Sequence, residues 1–123
     1  HIDVPAVKVE KLTDVDDGLT EDSSQIRARV QRSRDVQIKR FEGSAIASNS
    51  ELTSKSIKKY CNLNDECLAL LRTAVATLHL SGRSYYRTIK LARTIADLDS
   101  KEEIEASHIA EALQYRPRVQ VVG

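Results

Sequence analysis

A chain of 123 residues is long enough for one domain with a modest hydrophobic core. Its 19 basic and 18 acidic residues leave a formal net charge of +1, which excludes a strong overall field toward nucleic acid, so any basic surface must be local. Trp and Met are absent and aromatic residues make up 4% of the chain, so aliphatic side chains carry the apolar content, as is typical of a helical bundle. The lack of an initiator Met predicts a fragment of a longer polypeptide.

The first 22 residues carry no helical pattern. Residues 1–9, HIDVPAVKV, alternate apolar and polar side chains around Pro5, which predicts the end of an extended strand. Residues 10–22 are acidic, contain Gly18 and predict a linker. We therefore expect an extended segment over 1–22, a helical domain over 23–116 and a short tail over 117–123.

An arginine-rich helix is predicted to begin at a cap, Asp22 or Ser23, and to run to about Phe41. Ile26, Val30 and Phe41 lie on or near one face, and most of the remaining surface is basic: Arg27, Arg29, Arg32, Arg34, Lys39 and Arg40. Two interpretations of these arginines stay open. They form an ordinary solvated face, or the first four contact nucleic-acid phosphates or a subunit interface. No aromatic residue is interleaved, which argues against base stacking.

Two helices with similar start signals follow a small-residue loop at 43–49. Thr53 is expected to cap a short helix that ends near residue 60, with Leu52 and Ile57 as its hydrophobic staple. Asn64 is expected to cap a second helix over 65–79. The broad apolar face of this second helix consists of Cys67, Leu71, Ala74, Val75 and Leu78.

The two cysteines, Cys61 and Cys67, predict reduced thiols in place of a disulfide or a metal site. They are six residues apart, and no histidine lies at the spacing of a zinc site. No apolar run approaches the ~20 residues that a membrane span requires, and no secretory signal pattern begins the chain. We expect a soluble, cytoplasmic protein that binds neither metal nor membrane through this part.

The stretch SGRSYYRTIKLARTIADL, at 81–98, predicts the central helix of the domain. Ser81 is its expected N-cap. Its apolar stripe consists of Tyr85, Ile89, Ala92 and Ala96, widened by Tyr86, Leu91, Ile95 and Leu98. The opposite side carries Arg83, Arg87, Lys90 and Asp97.

Arg83 falls in the first turn of this helix, where a cation opposes the helix dipole, so we look for an anionic partner. That partner is a ligand or, in the simpler interpretation, a surface carboxylate such as Asp97 or Asp99. Lys90 and Arg93 are expected to face solvent or a subunit interface.

A final helix is expected from Ser107 to about Tyr115, because the Arg-Pro pair at 116–117 disfavours its continuation. His79 is expected to interact with the last carbonyls of its helix, with approach to a nucleotide as the alternative, and His108 is expected at the surface. Neither has a partner at a spacing that indicates nucleophilic catalysis. The whole pattern predicts an all-α bundle of about five helices, preceded by an extended N-terminal segment.

No catalytic constellation is present in the sequence. It lacks the phosphate loop G-x-x-x-x-G-K-[ST], and its four glycines are too scattered to build one. No acidic pair follows an apolar strand to hold magnesium. The chain is therefore not a complete ATPase and is expected to have no catalytic residue of its own.

Three segments nevertheless carry a family resemblance: SGRSYYR at 81–87, KLARTIADL at 90–98 and HIAEALQYR at 108–116. They resemble the C-terminal domain of the magnesium-chelatase-related AAA+ ATPases, nearest the ComM/YifB-type competence proteins. The Ser-x-Arg opening is also similar to the lid of the minichromosome-maintenance helicases. The resemblance runs from about His1 to Arg116.

The resemblance implies an AAA+ lid that closes over nucleotide in a hexameric ring, with Arg83 as the sensor-2 residue on a nucleotide phosphate and Arg87 as a weaker companion. ATP and Mg²⁺ would be cofactors of the longer protein, and none would belong to the isolated domain. The implied partners are the ATPase core, of which residues 1–22 include a remnant, and neighbouring subunits. The implied activity is DNA remodelling, by helicase action or branch migration. Two alternatives stay open: a stand-alone helical module that binds DNA or protein, and the lid of a magnesium chelatase subunit that acts on porphyrin.

Overall fold

The structure is a computed structural model that describes residues 22–115. In this range the chain forms five α-helices and one 3-10 turn, without a strand: α1 Ser23–Arg40, the 3-10 turn Asn49–Glu51, α2 Ser54–Tyr60, α3 Asp65–Leu78, α4 Gly82–Leu98 and α5 Ala106–Gln114. The predicted all-α bundle of about five helices is confirmed. The expected extended segment, apart from its last residue, and the expected tail lie outside the described residues.

The first four helices begin where a side chain accepts a hydrogen bond from a free backbone amide. Asp22, Thr53, Asn64 and Ser81 each accept from the amide three residues on, at 2.8, 3.2, 2.8 and 3.0 Å respectively. Such a cap contributes about 1 kcal/mol to helix stability, because the first amides of a helix have no partner within it. These four caps were predicted from the sequence and are confirmed.

The start of α5 differs from the expectation. Ser107 was the expected cap, but the N-cap is Glu105 and the helix begins at Ala106. The amide of Glu105 donates to Nδ1 of His108 at 2.9 Å, so Nε2 carries the ring hydrogen and donates to Asp99 at 3.0 Å. The expected surface position of His108 is therefore wrong, because these two bonds hold the ring inside the bundle, where it is 3% exposed.

The hydrophobic core lies mainly between α3, α4 and α5. Its most deeply buried residues are Cys67, Leu71, Ile89, Ala92, Ala96, Ile104, Ile109 and Ala112. α4 packs on α1, α2, α5 and the 3-10 turn, most extensively on α5. The central place predicted for this helix is confirmed.

α1 attaches to the bundle through polar side chains and, at its C-terminal end, through Phe41, whose ring packs edge to face on Tyr60. Of the expected apolar face, Ile26 and Val30 remain 43% and 37% exposed, whereas Phe41, the C-cap residue, is buried in the core. Within the helix itself, Ser33 is the one buried residue. Gln37 donates to Ser33 at 3.1 Å and accepts from the amide of Asn49 at 2.9 Å. Hydrogen bonds to the 3-10 turn and to α4 therefore hold α1 in place.

None of the helices in the described part of the chain is long and apolar enough to cross a membrane.

Candidate functional site

Arg83 lies in the first turn of α4 and is exposed, as the sequence predicted. The cap at Ser81 fixes the start of the helix, and no acidic side chain occupies its first turn. Among the residues that the structure describes, none forms an ion pair or hydrogen bond with the Arg83 guanidinium. A cation without a partner at the positive end of a helix is an arrangement that attracts an anion.

The simpler interpretation of Arg83, a pair with Asp97 or Asp99, is wrong. Asp97 is 3% exposed and binds residues of α1 and the 3-10 turn, while Asp99 accepts from His108. The hydrogen bond from His108 lowers the pKa of the Asp99 carboxyl below its usual range. Both carboxylates therefore have other partners.

Arg87, one turn after Arg83, is also exposed and has no partner among residues 22–115. It lines a surface groove of about 380 Å³ together with Ser50, Lys90, Leu91 and Thr94. We call this the α4 groove. Lys90, expected to face solvent or an interface, donates from Nζ to the carbonyl of Ser50 at 3.1 Å. Because this partner lies 40 residues earlier in the chain, helical periodicity could not reveal the groove.

A buried ionic cluster lies below the C-terminal half of α4. Asp97 Oδ1 accepts from Arg40 at 2.7 Å and lies 3.1 Å from Arg93 Nη2. Its Oδ2 accepts from Arg40 at 2.9 Å and from the amide group of Asn49 at 2.9 Å. The expected exposed position of Asp97 is therefore wrong, and the carboxylate joins α1, the 3-10 turn and α4.

The expected solvent or interface position of Arg93 is wrong as well, since this residue is 4% exposed. Its guanidinium donates to the carbonyls of Lys101 at 3.0 Å and Glu102 at 3.1 Å, which closes the loop between α4 and α5. Burial lowers the pKa of Arg93, and the nearby Asp97 opposes that change. Arg93 is thus a structural residue and is not available to a ligand.

The four arginines considered on α1 do not form one strip. At about 100° per residue, Arg27 and Arg34 share one flank of the helix, while Arg29 and Arg32 lie on another. Arg27, Arg32 and Arg34 are exposed, whereas Arg29 is half-buried and has a partner. Their contact with phosphates or a subunit interface stays a prediction.

A second groove, of about 370 Å³, lies between α1 and the loop after α4. Its charged lining is mixed and consists of Arg32, Asp35, Arg40, Asp97, Lys101 and Glu102. Arg40 and Asp97 already bind one another, so this surface offers little net charge to a polyanion.

Both cysteines are free and buried, in agreement with the predicted reduced thiols. Burial raises the pKa of Cys61 to about 11 and also raises that of Cys67, so neither is a reactive thiolate at neutral pH. Within residues 22–115, no group of three or more His, Cys, Asp or Glu side chains is arranged to hold a metal ion.

Comparison with known proteins identifies the family. Residues 20–116 match the family described as magnesium chelatase, subunit ChlI C-terminal. The chain is 41% identical over 102 residues to the competence protein ComM of Haemophilus influenzae, and the aligned segment covers 83% of this chain and 19% of that protein. It is 36% identical over 96 residues to the uncharacterized protein YifB of Escherichia coli, and the aligned segment covers 78% of this chain and 18% of that protein.

The chain thus spans about a fifth of the length of these relatives. The family match takes in all five helices, including the capped start of α4 and the Arg83 side chain. The chain belongs to the magnesium chelatase subunit ChlI C-terminal family, as a magnesium-chelatase-like C-terminal domain of the ComM/YifB type.

Proposed function

We propose that this domain is the lid of an AAA+ ATPase and that Arg83 contacts a phosphate of the bound nucleotide as its sensor-2 residue. The observation that carries the proposal is the exposed guanidinium of Arg83, which has no partner within residues 22–115 and lies in the first turn of α4. A guanidinium offers a planar fork of donors that suits phosphate oxygens, and its charge persists at any working pH. The free amides at the start of the helix add to the positive potential.

The bundle gives this arginine a firm support. In the turn after the cap, Ser84 is buried, and the hydroxyl of Thr88 donates to its carbonyl at 2.8 Å. Tyr85 and Tyr86 pack edge to face with ring centroids 5.2 Å apart. Contact between Arg83 and a nucleotide would therefore act on a helix that packs on α1, α2, α5 and the 3-10 turn, as the coupling of a lid to its ring requires.

For the longer protein we propose a hexameric ATPase that uses ATP and Mg²⁺ to remodel DNA in the cytoplasm, with the ATPase core and neighbouring subunits as partners of this domain. Identity of 41% to a competence protein supports this choice. The second candidate is the lid of a magnesium chelatase acting on porphyrin, which is supported by the family description. A stand-alone DNA-binding module is disfavoured, because the α1 arginines lie on different flanks and the groove beside them has mixed charge.

The test is ATP hydrolysis by the full-length protein that carries this domain. Arg83→Ala should lower kcat strongly, because γ-phosphate charge would lose a stabilising cation; arginine fingers, a related case, contribute about 10³ to 10⁵ in rate. Arg83→Lys should restore part of the rate, since an ammonium lacks the fork of donors.

Arg72→Ala is the matched control. Arg72 is exposed on α3, so this change removes the same charge without touching α4, and hydrolysis should stay near the wild-type rate. Thermal melting of each variant separates loss of contact from loss of fold. Wild-type hydrolysis by Arg83→Ala, or activity lost only together with the fold, would show that the sensor assignment is wrong.

A further inference from the structure

Of the lining of the α4 groove, only Arg87, the expected weaker companion of Arg83, has a place in the proposed lid function. The lining contains two cations, Arg87 and Lys90, two hydroxyl side chains, Ser50 and Thr94, and the apolar Leu91, but no carboxylate. The mixed groove beside α1 has nearly the same volume, about 370 against 380 Å³, yet three acidic side chains in its lining balance three basic ones. Of the two grooves, only the one on α4 has a net positive lining.

The hydrogen-bond donors of this groove are largely free to meet a ligand. Arg87 has no partner among the residues that the structure describes. Lys90 donates one bond to the carbonyl of Ser50 at 3.1 Å, which fixes the ammonium in place and leaves two of its three hydrogens. The Ser50 hydroxyl lies 2.9 Å from that of Ser48 and can turn its hydrogen elsewhere, since either oxygen can be the donor.

We propose that the α4 groove binds a phosphate group, held by Arg87 and Lys90, with the Ser50 hydroxyl as a further donor. Thr94 is not a phosphate donor, because its hydroxyl donates to the carbonyl of Lys90 at 3.3 Å. The lining contains no aromatic side chain on which a base could stack, so recognition is of phosphate and not of sequence. The proposal does not rest on the sensor assignment, since Arg83 takes no part in the groove.

The phosphate can belong to the backbone of a single-stranded nucleic acid or to a nucleotide, and the experiment separates these sources. Amide chemical shifts of the 123-residue chain would be followed by NMR during titration with inorganic phosphate, ADP and a short oligothymidine. Saturable shifts at residue 50 and over residues 87–94 are expected. The probe that saturates the groove at the lowest concentration identifies the source: oligothymidine a backbone, ADP a nucleotide.

The decisive variant is the double change Arg87→Gln and Lys90→Gln. Its control is Lys55→Gln with Lys58→Gln on α2, which removes two exposed charges at the same three-residue spacing. The groove variant should bind the preferred probe at least tenfold more weakly, while the control changes little. For oligothymidine, the slope of log affinity against log salt should fall by about 1.4, since each lost contact to a single strand contributes about 0.7.

Two results would overturn the proposal. In one, the groove amides show no saturable shift with any of the three probes. In the other, the control variant weakens binding as much as the groove variant does, so that affinity follows net charge alone. Arg83 is unchanged in every variant, and therefore neither result bears on the sensor assignment.

Discussion

Replacing Asp97 with Ala would remove the carboxylate that joins α1, the 3-10 turn and α4. In the structure this carboxylate accepts hydrogen bonds from Arg40 and Asn49 and forms an ion pair with Arg93, at distances between 2.7 and 3.1 Å. The variant would leave two guanidiniums side by side, with side chains only 14% and 4% exposed and no counter-ion between them. A buried charge without a partner is costly, because it has given up its hydration without compensation.

We expect Asp97→Ala to lower the free energy of unfolding by about 3–5 kcal/mol, the usual effect of breaking a buried ion pair. Small domains are stable by only about 5–15 kcal/mol, so the variant would lose a large part of its stability. Asp35→Ala is the control, because Asp35 is exposed on α1 and, among residues 22–115, bonds only to exposed Gln31. Its effect should stay within about 0.5 kcal/mol, as for most surface changes.

Urea unfolding, followed by far-ultraviolet circular dichroism, measures both values on the 123-residue chain. The urea midpoint of Asp97→Ala should fall, while the slope of the free energy of unfolding against urea concentration stays constant, because the surface exposed on unfolding is nearly the same. If Asp97→Ala unfolds at the same urea concentration as Asp35→Ala, the ionic cluster does not stabilise the domain.

Three further predictions concern caps, thiols and pH. Ser81→Ala should cost about 1 kcal/mol in urea unfolding, whereas Ser81→Asp, which keeps an acceptor, should not. Cys61 and Cys67 should react with a thiol reagent only as fast as the domain opens, since both are buried. Burial raises the pKa of Cys61 from 9.0 to about 11, so the free energy of unfolding should fall as the pH rises between those values. This fall should be absent in Cys61→Ala. The hydrogen bond from His108 lowers the pKa of the Asp99 carboxyl, so the ionised carboxylate stabilises the fold above about pH 4, and this stabilisation is lost in more acid solution. The melting temperature of Asp99→Asn should therefore depend less on pH in acid than that of the wild type.

Local signals predicted much of this fold. Helix starts at Thr53, Asn64 and Ser81 follow from side chains that cap their own backbone, and such bonds depend only on neighbours three residues away. The position of Arg83 at the start of α4 follows directly from the last of these caps. The start of α5 was missed because the ring of His108 accepts the hydrogen bond from the backbone amide of Glu105, a role that composition does not suggest for a histidine.

Charged residues were misplaced where their partners are distant in sequence. Periodicity assigned Asp97 to the solvent side, but its main partner, Arg40, lies 57 residues earlier. One signal was available: the inward face of α1 carries Ser33, Gln37 and Arg40, so this helix has to dock through polar bonds and needs a buried acceptor. The α4 groove could not be predicted for the same reason, since Ser50 is distant in sequence from the other lining residues and only the folded chain brings it beside them.

The most direct test of the proposed lid is whether Arg83 senses the γ-phosphate. The measurement is the affinity of the full-length protein for ADP and for a non-hydrolysable ATP analogue, in the wild type and in Arg83→Ala. We expect the wild type to prefer the triphosphate and Arg83→Ala to lose most of this preference, while its ADP affinity changes less. An unchanged preference in a folded Arg83→Ala protein would show that Arg83 does not sense the γ-phosphate.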